Sequence, residues 1–287
     1  MFDATPADGD TTSETDAASV TPLSARARAA GLREAARHYA EAMAGLHPAE
    51  RLAWLHNELD EQAPGPIVFT HGFGIEGQAI FHWIAAQNLA IDVVTLDTGR
   101  LFAETYDLWA ETEARYGRRI RAIHPDHAEL ETMVARQGIN GFYDSREARE
   151  TCCAVRKTRP LDRALDGAAV WITGARADQT AVRREAGLIA YEESRDILKF
   201  NPLFDWTRDD VMKVVAAENI PVNALHAKGF ASIGCAPCTR AIAPGEPERA
   251  GRWWWEQADK KECGLHAAEA TELAPHRTER SPADQDA

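Results

Sequence analysis

The chain of 287 residues has no apolar run of about 18 residues, the length a helix needs to cross a bilayer, so no membrane span is expected. Its opening, MFDATPADGDTTSETDAAS, holds neither a basic cluster nor an apolar stretch. A secretory signal is therefore not expected, and the expected address is the cytoplasm. Positive charge is scarce: 32 Lys and Arg stand against 45 Asp and Glu, a net of −13. Much of the excess is terminal. Residues 1–24 carry five acids and no base, and residues 267–287 carry five acids and two bases. A mildly acidic body disfavours a protein that grips nucleic acid by neutralising phosphates. It leaves room for a local basic pocket that takes a small anion.

Cysteine is also scarce. The five are Cys152, Cys153, Cys235, Cys238 and Cys263. Structural disulfides are rare in the cytosol, so the set points to metal binding or catalysis.

What is present is a rhythm of short apolar strands and longer helical stretches. Residues 1–23 read as a disordered acidic tail. Two helices follow, one capped by Ser24 and running to about 46, the next opened by Pro48. Pro64-Gly65-Pro66 breaks the pattern. Strands are expected at 67–70, 91–96, 119–123 and 169–173, with helices at 75–88, 101–116 and 126–137. Alternation of this kind implies a mostly parallel α/β sheet flanked by helices. Ligands on such sheets sit beyond the strand carboxyl ends, so the loops 70–77, 97–100 and 174–180 should converge. A small hairpin is expected from 188–190 and 197–200, and Thr207 should cap a helix to about 218. Residues 227–263 are rich in Gly, Pro and Cys, with a helix-like run at 247–260. The expected organisation is one α/β domain over 24–245, a C-terminal segment over 246–266 and a disordered tail over 267–287.

The chemistry-bearing residues cluster in these loops. Cys235-Ala236-Pro237-Cys238 is a good half-site for a soft metal, because two sulfurs at this spacing can face one ion. Adjacent Cys152 and Cys153 would point to opposite faces of a strand. They can share a site only from a helix start or turn, which a helix from about 151 to 165 would provide. Zinc and an iron–sulfur cube both fit four sulfurs. Two small core cysteines beside a redox dithiol fit the same spacing. Cys263 lies among Lys260, Lys261 and His266, neighbours that lower a thiol pKa and favour the nucleophilic thiolate. The Gly72-Phe73-Gly74 loop follows a strand and opens a helix, a place where backbone N–H groups meet anions. It is not a Walker A loop. Arg156, Lys157, Arg176, Arg183, Arg184, Arg249 and Arg252 recur near these loops and suggest a polyanionic small ligand. Trp253-Trp254-Trp255 reads as a helix packed on the body.

In order, these motifs are Gly72-Phe73-Gly74, Leu96-Asp97-Thr98-Gly99-Arg100, Cys152-Cys153-x-x-Arg156-Lys157 and Thr173-Gly174-x-Arg176-x-Asp178-Gln179. Cys235-Ala236-Pro237-Cys238, Gly251-Arg252-Trp253 and Glu262-Cys263-Gly264-Leu265-His266 complete the series. Together, over about residues 65–266, they resemble the assimilatory sulfonucleotide reductases, in particular the iron–sulfur adenylyl-sulfate (APS) branch. The resemblance implies an adenine-nucleotide α-hydrolase-like, Rossmann-like fold. It implies a [4Fe-4S] cluster on Cys152, Cys153, Cys235 and Cys238. It implies that Cys263 attacks the sulfur of APS, expels AMP and carries an S-sulfocysteine, from which thioredoxin or a glutaredoxin-like reductant frees sulfite for cysteine biosynthesis. By the same resemblance Lys157, Arg249, Arg252 and His266 meet the phosphosulfate. The loops at Gly72, Phe73 and Gly74 and at Leu96, Asp97, Thr98 and Gly99, with Gly174, Arg176 and Arg184, hold the adenosine. The family's first loop usually has serine before Phe-Gly. Here Gly72 replaces it, so contact there falls to backbone N–H or to His71.

Thiol stoichiometry supports the same chemistry. Sulfonyl transfer uses one thiol, and a second must attack to release sulfite. With four cysteines on a cluster none is left to resolve, so the second thiol is expected from another protein. Such a cluster need carry no electrons, and an electrostatic or structural role suffices. A nucleic-acid partner is not expected, and a homo-oligomer is compatible with this reading. Three alternatives remain: a reductase of the 3′-phosphorylated substrate (PAPS), an iron–sulfur ATP-pyrophosphatase that thiolates tRNA, and a zinc-bound nucleotide sensor.

Overall fold

The computed structural model describes residues 22–60 and 65–256. The expected terminal tails, Cys263 and His266 lie outside the described residues. No helix among the described residues is long and apolar enough to cross a membrane.

Six strands form one sheet in the order β3-β2-β1-β4-β6-β5. They are β1 (Ile67–Thr70), β2 (Asp92–Leu96), β3 (Arg121–Ile123), β4 (Val170–Ile172), β5 (Ile189–Glu192) and β6 (Ile197–Phe200). All neighbours pair in parallel except β5 with β6, the expected hairpin. The chain moves outward from β1 to β2 and β3, then returns to place β4 on the other side of β1. That reversal is a switch point, and it opens a crevice beyond the ends of β1 and β4.

Strand alternation builds a core on each face. Ile67 and Phe69 of β1, with Val170 and Ile172 of β4, pack into the larger core with α3 (Ile75–Ala86). Val68 and Trp171 point the other way, onto Leu161 and Ala164 of α7 (Arg159–Ala164). Each large apolar side chain so buried contributes roughly 1.5–3 kcal/mol before entropy is counted. The helical preface is anchored by charge as well as packing. Helix α1 (Pro22–Ala42) lies against β5. Arg51, on α2 (Pro48–Asp60), is buried and donates from Nη1 and Nη2 to the two Asp205 carboxylate oxygens at 2.6 and 2.7 Å. That pairing holds Asp205 below the usual carboxylate range.

Helices α4 (Ala103–Tyr116) and α5 (His127–Gln137) flank the β2 side, and α9 (Arg208–Ala217) opens with a capping box on Thr207 and Asp210. Two expectations need correction. The cysteine-bearing helix does not start at Thr151. Helix α6 (Arg146–Cys153) starts after Ser145, whose hydroxyl accepts from the Ala148 N–H at 3.1 Å. A π-turn, Ala154–Thr158, then follows it. Residues 247–256 are not helical. Their backbone is bonded across to the Cys235–Cys238 turn instead: Arg240 N–H to Gly251 O at 3.0 Å and Trp253 N–H to Cys238 O at 3.1 Å. Gly251 permits this approach, since a Cβ there would fall 2.2 Å from the Arg240 carbonyl oxygen.

Candidate active site

The switch-point crevice widens into a cavity of about 260 Å³. Residues of the three expected loops line it: Thr70 to Gly74, Leu96 and Thr98, and Gly174 with Gln179. Lys157, Arg249 and Arg252 line it from outside the sheet. Gly174 suits close packing here, because a Cβ would sit 3.0 Å from the Glu76 Cβ at the start of α3, a contact tighter than side chains ordinarily make.

The first loop is shaped from within. Phe73 holds a left-handed backbone, φ 56°, which a bulky residue adopts only when its surroundings compel it. Its N–H donates to His71 Nδ1 at 3.1 Å, the two rings are 4.4 Å apart, and both residues are buried. Burial pushes His71 down to about 3, so the imidazole is neutral. His71 Nδ1 and the Phe73 N–H thus serve each other and neither meets an anion. Helix α3 has no side-chain cap at Gly74, which leaves its first-turn N–H groups to water or a ligand. Gly72 has open space around it: a Cβ would meet nothing within 4 Å.

A second, small cavity abuts the first. All four cysteines of the two pairs line it, with Arg100, Arg149, Arg156 and Lys157. Cys235 and Lys157 line both cavities and form the wall between them. The Cys-x-x-Cys turn is pinned from several sides. Ala236 N–H donates to Arg100 O at 2.7 Å, Tyr143 OH to Pro237 O at 2.6 Å, and Thr239 Oγ1 to Cys235 O at 3.0 Å. The π-turn after Cys153 carries Arg156, whose Nη1 reaches Thr98 O at 2.6 Å. Trp253 is fully buried against the cysteines rather than riding on a helix. Arg149 stacks on its ring at 4.9 Å and donates to both Glu256 carboxylate oxygens at 2.8 and 2.9 Å. Among the described residues no three His, Cys, Asp or Glu side chains converge on a single-ion site. The four sulfurs surround a space instead.

Electrostatics differ among the sulfurs. Burial alone would push Cys235 up, but Lys157, the Thr98 hydroxyl 3.3 Å away and Arg252 bring it below the usual thiol value. Burial pushes Cys238 up to about 11 and raises Cys152, against the opposing charge of Arg156.

Not every expected residue reaches the cavity. Arg176 is completely buried and committed to three carboxylates: Glu76 at 2.9 Å, Glu248 at 2.8 Å, and Asp178. It is a strut behind the wall and not a ligand contact. Arg184 is exposed and does not line the cavity, while its neighbour Arg183 does. This follows from α8 (Ala181–Arg184), a single turn capped by Thr180, whose successive residues point about 100° apart. Asp97 and Gly99 do not line the cavity either. Asp97 accepts from Tyr106 OH at 2.7 Å and Gly99 N–H at 2.9 Å, and Gly99 takes φ +67°. They shape the turn that presents Thr98. Sequence reading missed His226, Ser232, Gly234 and Glu248, all on the cavity wall. Glu76 lies within the expected 70–77 loop without being singled out there and lines the cavity too, and nothing in the spacing marks Glu248. Gly234 is explained by Arg252, whose Nη2 would be 2.2 Å from a Cβ there. Arg252 is buried, stacks on Trp253 at 5.0 Å, and pairs with no carboxylate among the described residues.

Residues 66–241 match the family model of the phosphoadenosine phosphosulfate reductase domain. The chain is 51% identical over 233 residues to a protein named adenosine 5′-phosphosulfate reductase from Agrobacterium fabrum, spanning 81% of this chain and 88% of that one. It is 44% identical over 234 residues to the protein of the same name from Allochromatium vinosum, spanning 82% and 88%. Among solved structures, it is similar to the phosphoadenylyl-sulfate (PAPS) reductase from Candida auris in its phosphate complex, with a TM-score of 0.61 and 25% identity. That match covers 73% of this chain and 97% of the other.

Proposed function

This chain belongs to the phosphoadenosine phosphosulfate reductase family, and from that premise we propose that it reduces adenosine 5′-phosphosulfate to sulfite and AMP at the expense of a protein dithiol. The fold is the adenine-nucleotide α-hydrolase-like one, a six-stranded, mostly parallel sheet flanked by helices. The observation that carries the reading is the shared wall. A cavity of about 260 Å³ lined by four cations, Lys157, Arg183, Arg249 and Arg252, shares Lys157 and Cys235 with a cavity lined by four cysteines.

The four thiols fit an iron–sulfur cluster. They surround a space rather than a point, and four cations line the same cavity, suited to the negative charge of a thiolate-ligated cluster. Cys152, Cys153, Cys235 and Cys238 would hold it. Bound there, the cluster would supply negative charge and a rigid cross-link between the Cys152–Cys153 and Cys235–Cys238 segments. In the reaction Lys157, Arg249 and Arg252 bind the phosphosulfate and offset its repulsion of an approaching thiolate. Cys263, outside the described residues, supplies that thiolate. A sulfur–sulfur bond forms, the bond between sulfate sulfur and phosphate oxygen breaks, and AMP leaves with the electron pair. A thiolate of the reductant, of the thioredoxin class, then attacks the Cys263 sulfur and expels sulfite. Its second thiol closes the reductant's disulfide and returns Cys263 as a thiol. The cytoplasm, where dithiol reductants are kept reduced, is the proposed location.

The test is a mass spectrum of the protein after incubation with APS and no reductant. One added sulfonate on the peptide containing Cys263 supports the reading, and an unmodified peptide after AMP release overturns it. Arg252→Ala should weaken APS binding about 10- to 100-fold, the worth of hydrogen bonds to a charged group, while adenosine affinity changes less than about 3-fold. Equal loss for both would place Arg252 at the nucleoside. Gly234→Ala should reproduce part of that defect, since its methyl group must displace the Arg252 guanidinium. The check is the KM for APS in the two variants.

A further inference from the structure

One stretch of the cavity wall offers mainly hydrogen-bond acceptors. Glu76 Oε1 accepts from Arg176 Nε at 2.9 Å and from Gln179 Nε2 at 3.1 Å. Its Oε2 takes neither bond and lies beside Gly74. Glu248 gives Oε2 to Arg176 Nη2 at 2.8 Å, and its Oε1 stands 3.6 Å from Arg208 Nη1. Both glutamates line the cavity, but Arg176, the counter-charge they share, is sealed behind them. His226 extends the patch. Its Nδ1 is 2.7 Å from the Phe230 carbonyl oxygen, which can only accept, so Nδ1 carries the proton. His226 Nε2 is therefore a bare lone pair, buried and without a hydrogen-bond partner, on a residue that lines the cavity.

A surface of this kind is matched by ligand donors and opposed by a ligand anion. Its position selects which donors. Glu248 directly precedes Arg249, and Arg249 and Arg252 both reach Ser232 Oγ, each at 3.5 Å. The acceptor patch therefore adjoins the cationic stretch. In a nucleoside 5′-phosphosulfate held by those cations, the ribose comes next and the base lies one ring further.

On the reading given above, we propose that Glu76, Glu248 and His226 receive the ribose hydroxyls of the nucleotide and thereby exclude nucleotides phosphorylated at the 3′ position. The same residues would thus bind the correct substrate and reject its close analogue. Acceptance comes from hydroxyl donors on the free acceptor positions of these three side chains, and rejection from a phosphate set against two carboxylates whose shared counter-ion, Arg176, is sealed behind them.

The experiment is titration calorimetry on the full chain with AMP, 3′-deoxy-AMP and adenosine 3′,5′-bisphosphate. AMP should bind at least about 10-fold tighter than either of the other two. Glu76→Gln, which keeps the shape and removes the charge, should narrow the gap between AMP and the bisphosphate by about 10-fold. A loss of affinity common to all three would be a structural effect and would remove Glu76 from the proposal. Should that variant not fold, the three nucleotides on the unaltered chain still decide. Equal affinities there overturn the proposal and leave the reductase reading standing, whereas no binding of AMP at all overturns both.

Discussion

Cys263→Ser should abolish sulfite formation, by at least about 10⁴-fold, the scale seen when a covalent nucleophile is removed. The reason is chemical. A serine hydroxyl is not ionised near neutrality, and an oxygen–sulfur adduct would be a sulfate ester that a dithiol cannot reduce by exchange. The same variant should still bind AMP and keep its iron, because described residues other than Cys263 line the cavity and the four cysteines of the two pairs would hold the cluster. Sulfite release, nucleotide binding and iron content, measured on one preparation, separate the three properties. Thioredoxin-dependent turnover that survives the change would remove Cys263 from the mechanism.

Cys235→Ala should have the second-largest effect. This sulfur stands in the wall common to both cavities, lies 3.3 Å from the Thr98 hydroxyl, and sits among the charges of Lys157 and Arg252. Its loss removes one of four ligands from the site where an iron–sulfur cluster would be held. Bound iron should fall at least about 10-fold, with the absorbance near about 400 nm that iron–thiolate bonding gives. Turnover should fall about 100-fold or more, because the turn also places Gly234 beneath Arg252. Metal analysis, the visible spectrum and the rate are the readouts. Zinc in place of iron in the unaltered protein, or an iron-free variant of full activity, would overturn the cluster reading.

The tRNA-thiolation and sensor alternatives weaken on different grounds. The chain belongs to a reductase family over most of its α/β domain. The substrate cavity and the cysteine cavity share a wall, a proximity that a remote structural metal site does not require. Discrimination between APS and its 3′-phosphorylated form falls to the acceptor patch.

Much of this was written in local patterns. Short apolar runs marked β1, β2 and β4 to within one residue, because a strand buried on both faces needs continuous apolar sequence, and the edge strand β3, half-buried, was marked to within two. Thr207 marked the start of α9 because its hydroxyl and the Asp210 carboxylate cap each other within four residues. The run at 247–260 misled over its described part, 247–256, for the opposite reason. Its composition suits a helix, but Gly251 and Trp253 bond to the backbone of Arg240 and Cys238, eleven and fifteen residues away, and no local pattern reports a partner at that distance. The π-turn after Cys153 was hidden in the same way: it carries Arg156 to the Thr98 carbonyl, 58 residues back along the chain.

Sequence alone determined the residue types and their order: an α/β alternation, four cysteines in two pairs, a fifth apart, and arginines near the strand ends. Motif spacing suffices for these because each is set by short-range geometry. The tertiary structure decided which charges are used. It buried Arg176 among three carboxylates, left Arg184 exposed and off the cavity lining, left Arg252 without a carboxylate partner among the described residues, and set Glu76, Glu248 and His226 on the wall of one cavity. The physical reason is that a charge acts through its neighbours in space, and those neighbours come from segments up to about 170 residues apart along the chain.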